Sequence, residues 1–186
     1  MVSVIALWLP ILVSAAVVFV LSSLFHMVLP HHHSDFRKVP AEDEVMAALG
    51  KFNLPPGDYM MPCAGGSKEM KSPDFLEKMK KGPVALITVI PSGIPSMGKN
   101  LVQWFIYCVV VGIFAAYITG RALGSGAPYL AAFRFAGCTA FVGYSLAVWQ
   151  GSIWFRRSWS TTIKSTIDGL VYGLFTGGVF GWLWPR

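Results

Sequence analysis

Residues Val2 to Leu29 form one apolar run, and no Lys or Arg occurs before Arg37. As a helix its 28 residues extend about 42 Å, enough to cross a hydrocarbon core of about 30 Å. A secretory signal would carry a positive n-region and a shorter apolar core. The run therefore reads as an uncleaved transmembrane helix that emerges near His26 to Pro30. Pro10 falls in its first turns, where a missing N–H costs least.

The rest of the chain has the same character. Of its 186 residues, 54% are hydrophobic and 13% charged, about half the charge share of a soluble domain. That excludes an ordinary soluble globule, a disordered chain and a disulfide scaffold. The three cysteines, Cys63, Cys108 and Cys138, read as unpaired thiols. Four segments can span a membrane: about Val4–Leu29, Leu101–Leu123, Tyr129–Gly151 and Ile163–Trp184. The expected fold class is an all-α membrane protein with four transmembrane helices and a small polar α/β-like insertion between the first two. Residues 1–30 are the first helix, 31–100 a polar membrane-associated insertion, and 101–186 a three-helix bundle.

The insertion carries nine Lys/Arg and eight Asp/Glu. Pro40-Ala-Glu-Asp-Glu44 opens a short helix with acids in its first turn, running to about Lys51. Ser72-Pro73-Asp74 reads as an N-cap, a proline at the first helical position and an acid behind it. The helix Pro73–Lys81 then closes on lysines and Gly82-Pro83. Val84 to Ile90 is a β-type run whose best local partner is Tyr59–Met61.

Basic residues set the expected orientation. With residues 31–100 in the cytoplasm, Arg156, Arg157 and Lys164 join the nine basic residues of the insertion on the inner side. The positive-inside rule then places both termini outside. Trp104, Trp149, Trp154 and Trp159 fall at the inner boundary, and Trp8, Trp182 and Trp184 at the outer one. Indole prefers the headgroup level, so Trp104, Trp149, Trp154, Trp182 and Trp184 are expected lipid anchors.

Gly169, Gly173, Gly177 and Gly181 repeat at intervals of four, with Gly178 alongside. Glycines at that spacing line one ridge and let another backbone come close. Gly112, Ala116 and Gly120 echo the pattern, as do Ala132, Ala136 and Ala140. The ridges are expected to pack within one chain, with a homo-oligomer seam or a helix of another protein as alternatives.

His26 and His31-His32-His33 lie near Asp35. Imidazole is the commonest metal ligand, so His31, His32 and His33 are candidate ligands. Met60, Met61 and Cys63 would add soft donors if the loop folded back. Against this, the spacing matches no zinc signature, and the run also suits a headgroup-level cap beside Arg37-Lys38. Asp168 is the only acid after residue 77. It is expected in the first turn of the fourth span, paired with Lys164 or Arg157. A polar pore would draw on Thr119, Thr139, Ser145 and Thr176.

No P-loop, dinucleotide fingerprint, haem signature or catalytic triad is present, so neither an enzyme nor a cofactor is expected. Ser22-Ser-Leu-Phe-His-Met-Val-Leu-Pro30, Ser34-Asp-Phe-Arg-Lys38, Lys71-Ser-Pro-Asp74, Gly82-Pro-Val84, Pro91-Ser-Gly93 and Met97-Gly-Lys99 together resemble an uncharacterised family of small four-helix bacterial inner-membrane proteins. The resemblance implies a bacterial inner-membrane setting and no activity or site. The expected function is a non-catalytic accessory or assembly subunit that packs against other membrane-protein subunits. The alternatives are a homo-oligomeric channel or transporter, or a metal-handling membrane protein. Its expected surroundings are the lipid bilayer and protein partners, not nucleic acid.

Overall fold

In a computed structural model the chain is mostly helical and divides into two units. The structure describes residues 1–94 and 96–186. The first unit comprises Met1–Phe36 and Ser96–Arg186, and the second Arg37–Pro95.

The first unit is a helix bundle. Helix α1 (Trp8–Met27) follows a 3-10 turn at Ile5–Leu7 and carries Pro10 at its third position, where the N–H has no intrahelical partner to lose. After the second unit come α5 (Met97–Ala122), α6 (Tyr129–Ser145), α7 (Trp149–Phe155) and α8 (Trp159–Trp182). A 3-10 turn at Leu146–Val148 joins α6 to α7. Among the described residues three helical stretches are long and apolar enough to cross a membrane: Ile5–Met27, Met97–Ala122 and Tyr129–Phe155. Helix α8 has 24 residues, but its first half carries Thr161, Thr162, Lys164, Ser165, Thr166 and Asp168.

The bundle is small inside and greasy outside. One core cluster holds Leu7, Ile11, Ala115, Ala116, Ala132, Ala136, Phe180 and Trp184, and another holds Ala15, Val18, Cys108 and Tyr172. Large apolar side chains such as Val20, Phe114, Ile118, Phe135 and Leu174 face outward. Water would penalise that surface, whereas lipid would not; between helices in lipid, close backbone approach does the work.

Glycine makes that approach between α6 and α8. A Cβ on Gly173 would lie 2.9 Å from the Gly137 carbonyl oxygen, and one on Gly177 would lie 2.6 Å from that of Phe133. One on Gly181 would meet the Tyr129 ring at 2.7 Å, and one on Gly169 would overlap Ser145. Helix α1 and the residues before it use α5 in the same way: Gly112 faces Ile11 and Gly120 faces Val2, whose N–H donates to the Gly120 carbonyl at 2.8 Å. The small-residue ridges thus pack within this chain.

The second unit contains α2 (Glu42–Gly50), β1 (Gly57–Met61), α3 (Ser67–Met70), α4 (Pro73–Lys81) and β2 (Ala85–Val89). The strands pair antiparallel, with Tyr59 opposite Ile87 and Met61 opposite Ala85. The expected N-cap is in place, the Phe75 N–H donating to Ser72 Oγ at 3.2 Å. The four-residue α3 has no counterpart in the expected elements.

The α8 ridge yields a paired prediction. Gly177→Ala forces a methyl into backbone and should destabilise the bundle by about 1–3 kcal/mol. Gly178→Ala meets only the Tyr129 hydroxyl, at 3.6 Å, and should be neutral or mildly stabilising through helix propensity. Unfolding midpoints in detergent separate the two; equal midpoints would contradict this packing.

Candidate metal centre

Four parts of the first unit converge at one end of the bundle. The last turn of α1 brings His26. The chain then leaves the helix at Val28, and Pro30–His32 form a 3-10 turn with proline at its first position. A further turn sets Asp35, whose N–H donates to the His32 carbonyl at 3.0 Å. Helix α8 contributes Lys164 and Asp168, one turn apart on the same face.

His32 sits between two carboxylates. Its Nδ1 lies 2.7 Å from Asp35 Oδ2 and its Nε2 lies 2.6 Å from Asp168 Oδ2. Neutral imidazole has one N–H, whereas two carboxylate acceptors call for two. The geometry therefore makes His32 an imidazolium that donates in both directions. His31 Nε2 adds a longer contact to Asp168 Oδ1 at 3.2 Å. Lys164 Nζ donates to Asp35 Oδ1 at 3.0 Å and to Ser34 Oγ at 2.8 Å. Two carboxylates thus face one imidazolium and one ammonium. Of the two carboxylates, Asp168 is the more deeply placed, at only 4% exposure.

His26 completes a donor set. Its ring stacks on His32 with centroids 4.4 Å apart. Its Nδ1 lies 3.0 Å from the Ser22 carbonyl oxygen, which accepts only if Nδ1 carries the proton. That tautomer leaves the Nε2 lone pair free, as in imidazoles oriented for a metal. Ligand atoms of His26, His32 and Asp168 all lie within 4.8 Å of one another. Below them, Phe25 meets His31 edge-on at 6.0 Å and stacks on Tyr172 at 5.9 Å, closing the centre with aromatic surface. His26 also lines a largely apolar groove of about 270 Å³ with Ser22, Met97, Asn100 and Trp104.

Several expected residues fall elsewhere. His33 is exposed and outside the cluster, because the 3-10 turn directs His31 and His32 to α8 and carries the chain past it. His26 and Asp168 take its place. Asp168 pairs with the histidines, and Lys164 reaches Asp35 instead of its own helix neighbour. Met60, Met61 and Cys63 belong to the second unit. Among the expected anchors, Trp154 and Trp182 are widely exposed. Trp184 is buried and donates to the Gly124 carbonyl at 3.0 Å, while Trp104 is half-buried and donates to Ser22 Oγ at 2.7 Å. These two are packing residues, and Trp149 splits its ring between Trp159 and a bond to Thr166. Thr119, Ser145 and Thr176 are buried in the core, whereas Thr139 bonds to the Phe135 carbonyl of its own helix.

Comparisons with protein-family models, curated proteins and solved structures find no match to this chain.

The ion cluster has a defined pH response. Burial works against the His32 imidazolium, but the hydrogen bonds and charges of Asp35 and Asp168 outweigh it and raise its pKa above 6.5. Burial also works against the Asp35 carboxylate, but His32 and Lys164 outweigh it and hold its pKa below 3.8. The His32 contribution to stability is complete below about 6.5 and is lost as pH rises through the raised pKa. The Asp35 contribution is complete above about 3.8 and is lost as pH falls through the lowered one. The melting temperature of metal-free protein should therefore plateau between about pH 4 and 6.5 and fall on the alkaline side. His32→Gln should flatten that alkaline limb; an unchanged limb would contradict the imidazolium assignment.

Proposed function

We propose that this chain is a non-catalytic, four-span membrane protein that binds a divalent transition-metal ion through His26, His32 and Asp168. The observation that carries this reading is the convergence of two imidazoles and a buried carboxylate within ligand reach of one another. Two nitrogens and one oxygen suit borderline ions such as zinc or ferrous iron better than calcium or magnesium, which prefer all-oxygen shells. With an ion bound, His32 would give up the proton it shares with Asp168 and both would serve as ligands beside His26. His31, beside the same carboxylate, is placed to orient it.

Helix α8 is the fourth span in this reading, its polar first half turned toward the centre and its second half packed on α6. The basic-residue count supports an orientation with residues 31–100 in the cytoplasm and both termini outside. An accessory role in a larger complex would need a surface other than the α8 ridge, since α6 already fills it.

Two measurements test the proposal. Full-length protein in detergent should bind one Zn²⁺ or Co²⁺ per chain. His32→Ala or Asp168→Asn should weaken binding at least 10–100-fold, roughly the range seen even for outer-shell partners, and His33→Ala should not. Absence of stoichiometric binding, or equal loss in the His33 variant, would overturn it. The orientation has a native probe, because Cys63 is an exposed thiol in the polar unit. In a Cys138→Ala background, a membrane-impermeant maleimide should label Cys63 in inverted vesicles and not in intact cells. The reverse pattern would invert the topology.

A further inference from the structure

In the second unit Tyr59, Ile87 and Val89 of the strands and Phe75 of α4 are only half-buried. Among its described residues none is buried, although it has two paired strands and three helices. A chain of this length offsets its conformational entropy only by covering apolar surface. Here that surface is on the outside: Leu76 is 47% exposed, Leu86 50% and Ile90 69%.

Helix α4 indicates what that surface meets. At about 100° per residue, Phe75, Met79 and Leu76 occupy an arc of about 100° on one side of the helix. Lys78 and Lys80 fall on the two flanks of that arc. Both are exposed, and the Ser72 cap fixes where the helix starts. An apolar stripe between two lysines matches a lipid surface: the stripe enters the acyl boundary, and each lysine lays its stem on the apolar surface with its ammonium among phosphates. Connectivity points the same way. The unit begins at Arg37, ten residues beyond the end of one membrane-crossing helix, and α5 starts at Met97, two residues past its end. At that tether length a bilayer surface is always within reach.

We propose that α4 is an in-plane anchor that lays the Phe75–Leu76–Met79 stripe into the anionic leaflet of the membrane spanned by the bundle. The site is distinct from the histidine centre and independent of metal. Each lysine near an anionic surface strengthens association roughly fivefold, so losing both should weaken it about 30-fold.

The test uses full-length protein with Cys63→Ser and Cys138→Ala and a spin label at Leu76→Cys or Glu77→Cys. It is reconstituted into nanodiscs of phosphatidylcholine alone or with phosphatidylglycerol. In anionic discs the label at 76 should collide with oxygen and be shielded from a water-soluble nickel chelate, and the label at 77 should show the reverse. The label at 76 should return to water in neutral discs or with Lys78→Gln and Lys80→Gln. Circular dichroism of the double variant checks that α4 remains helical. A label at 76 open to nickel in both lipids would overturn the anchor. So would one shielded from both oxygen and nickel, which would point to a protein surface or a second copy of the chain.

Discussion

A carboxylate inside a greasy bundle has to be neutralised, and the end of this molecule is organised around doing so. Asp168 is buried and one helical turn from Tyr172 in the aromatic core. Water reaches it poorly, so its charge must be met by protein. The nearest cation on its own helix, Lys164, is already bound to Asp35. The remaining source is the segment that leaves α1, and the Pro30–His32 turn brings it over the end of α8. Breaking such a pair leaves one buried charge uncompensated, which is far costlier than never having built it. The fold of residues 28–36 follows from that constraint.

The same carboxylate depends on how closely α6 and α8 approach. Gly169 follows Asp168 directly and sits against the side chains of Ser145 and Tyr144, so the acid is at the edge of the close α6–α8 contact. Above it, the polar residues of α8 find partners: Thr162 with Ser152 at 2.6 Å, and the Thr166 carbonyl with Ser145. Below it the ridge is glycine and the contacts are backbone and aromatic rings. The α8 sequence therefore changes character at Asp168, polar toward the histidine turn and close-packed toward the other end. Packing there positions a site without supplying its ligands.

Much of the architecture is legible residue by residue. Ser72-Pro73-Asp74 starts α4 where its cap chemistry requires, and the alternation of Val84–Ile90 finds its partner in Gly57–Met61. The glycine repeat of α8 announces a close helix contact. The site is harder to read. Asp168 and His32 are 136 residues apart, and no local pattern joins them. The run His31-His32-His33 invites three equal ligands, but a 3-10 turn separates adjacent side chains by roughly a third of a turn. It therefore sends the third away from α8. His26 gives only a faint signal, being a polar residue at the end of an apolar helix. The surest hint of the centre is Asp168 itself, the one acid in the last hundred residues. Its partner choice depends on tertiary folding, which local i,i+4 rules do not contain.

The proposed metal site requires His26, His32 and Asp168 to close on one ion. X-ray absorption at the zinc edge of the full-length protein, loaded with one equivalent of zinc, tests it most directly. Two imidazole nitrogens and a carboxylate oxygen are expected at about 2.0–2.2 Å, with the imidazole scattering reduced in His26→Ala. A sulfur shell near about 2.3 Å, or a spectrum unchanged when His26 or His32 is removed, would contradict it.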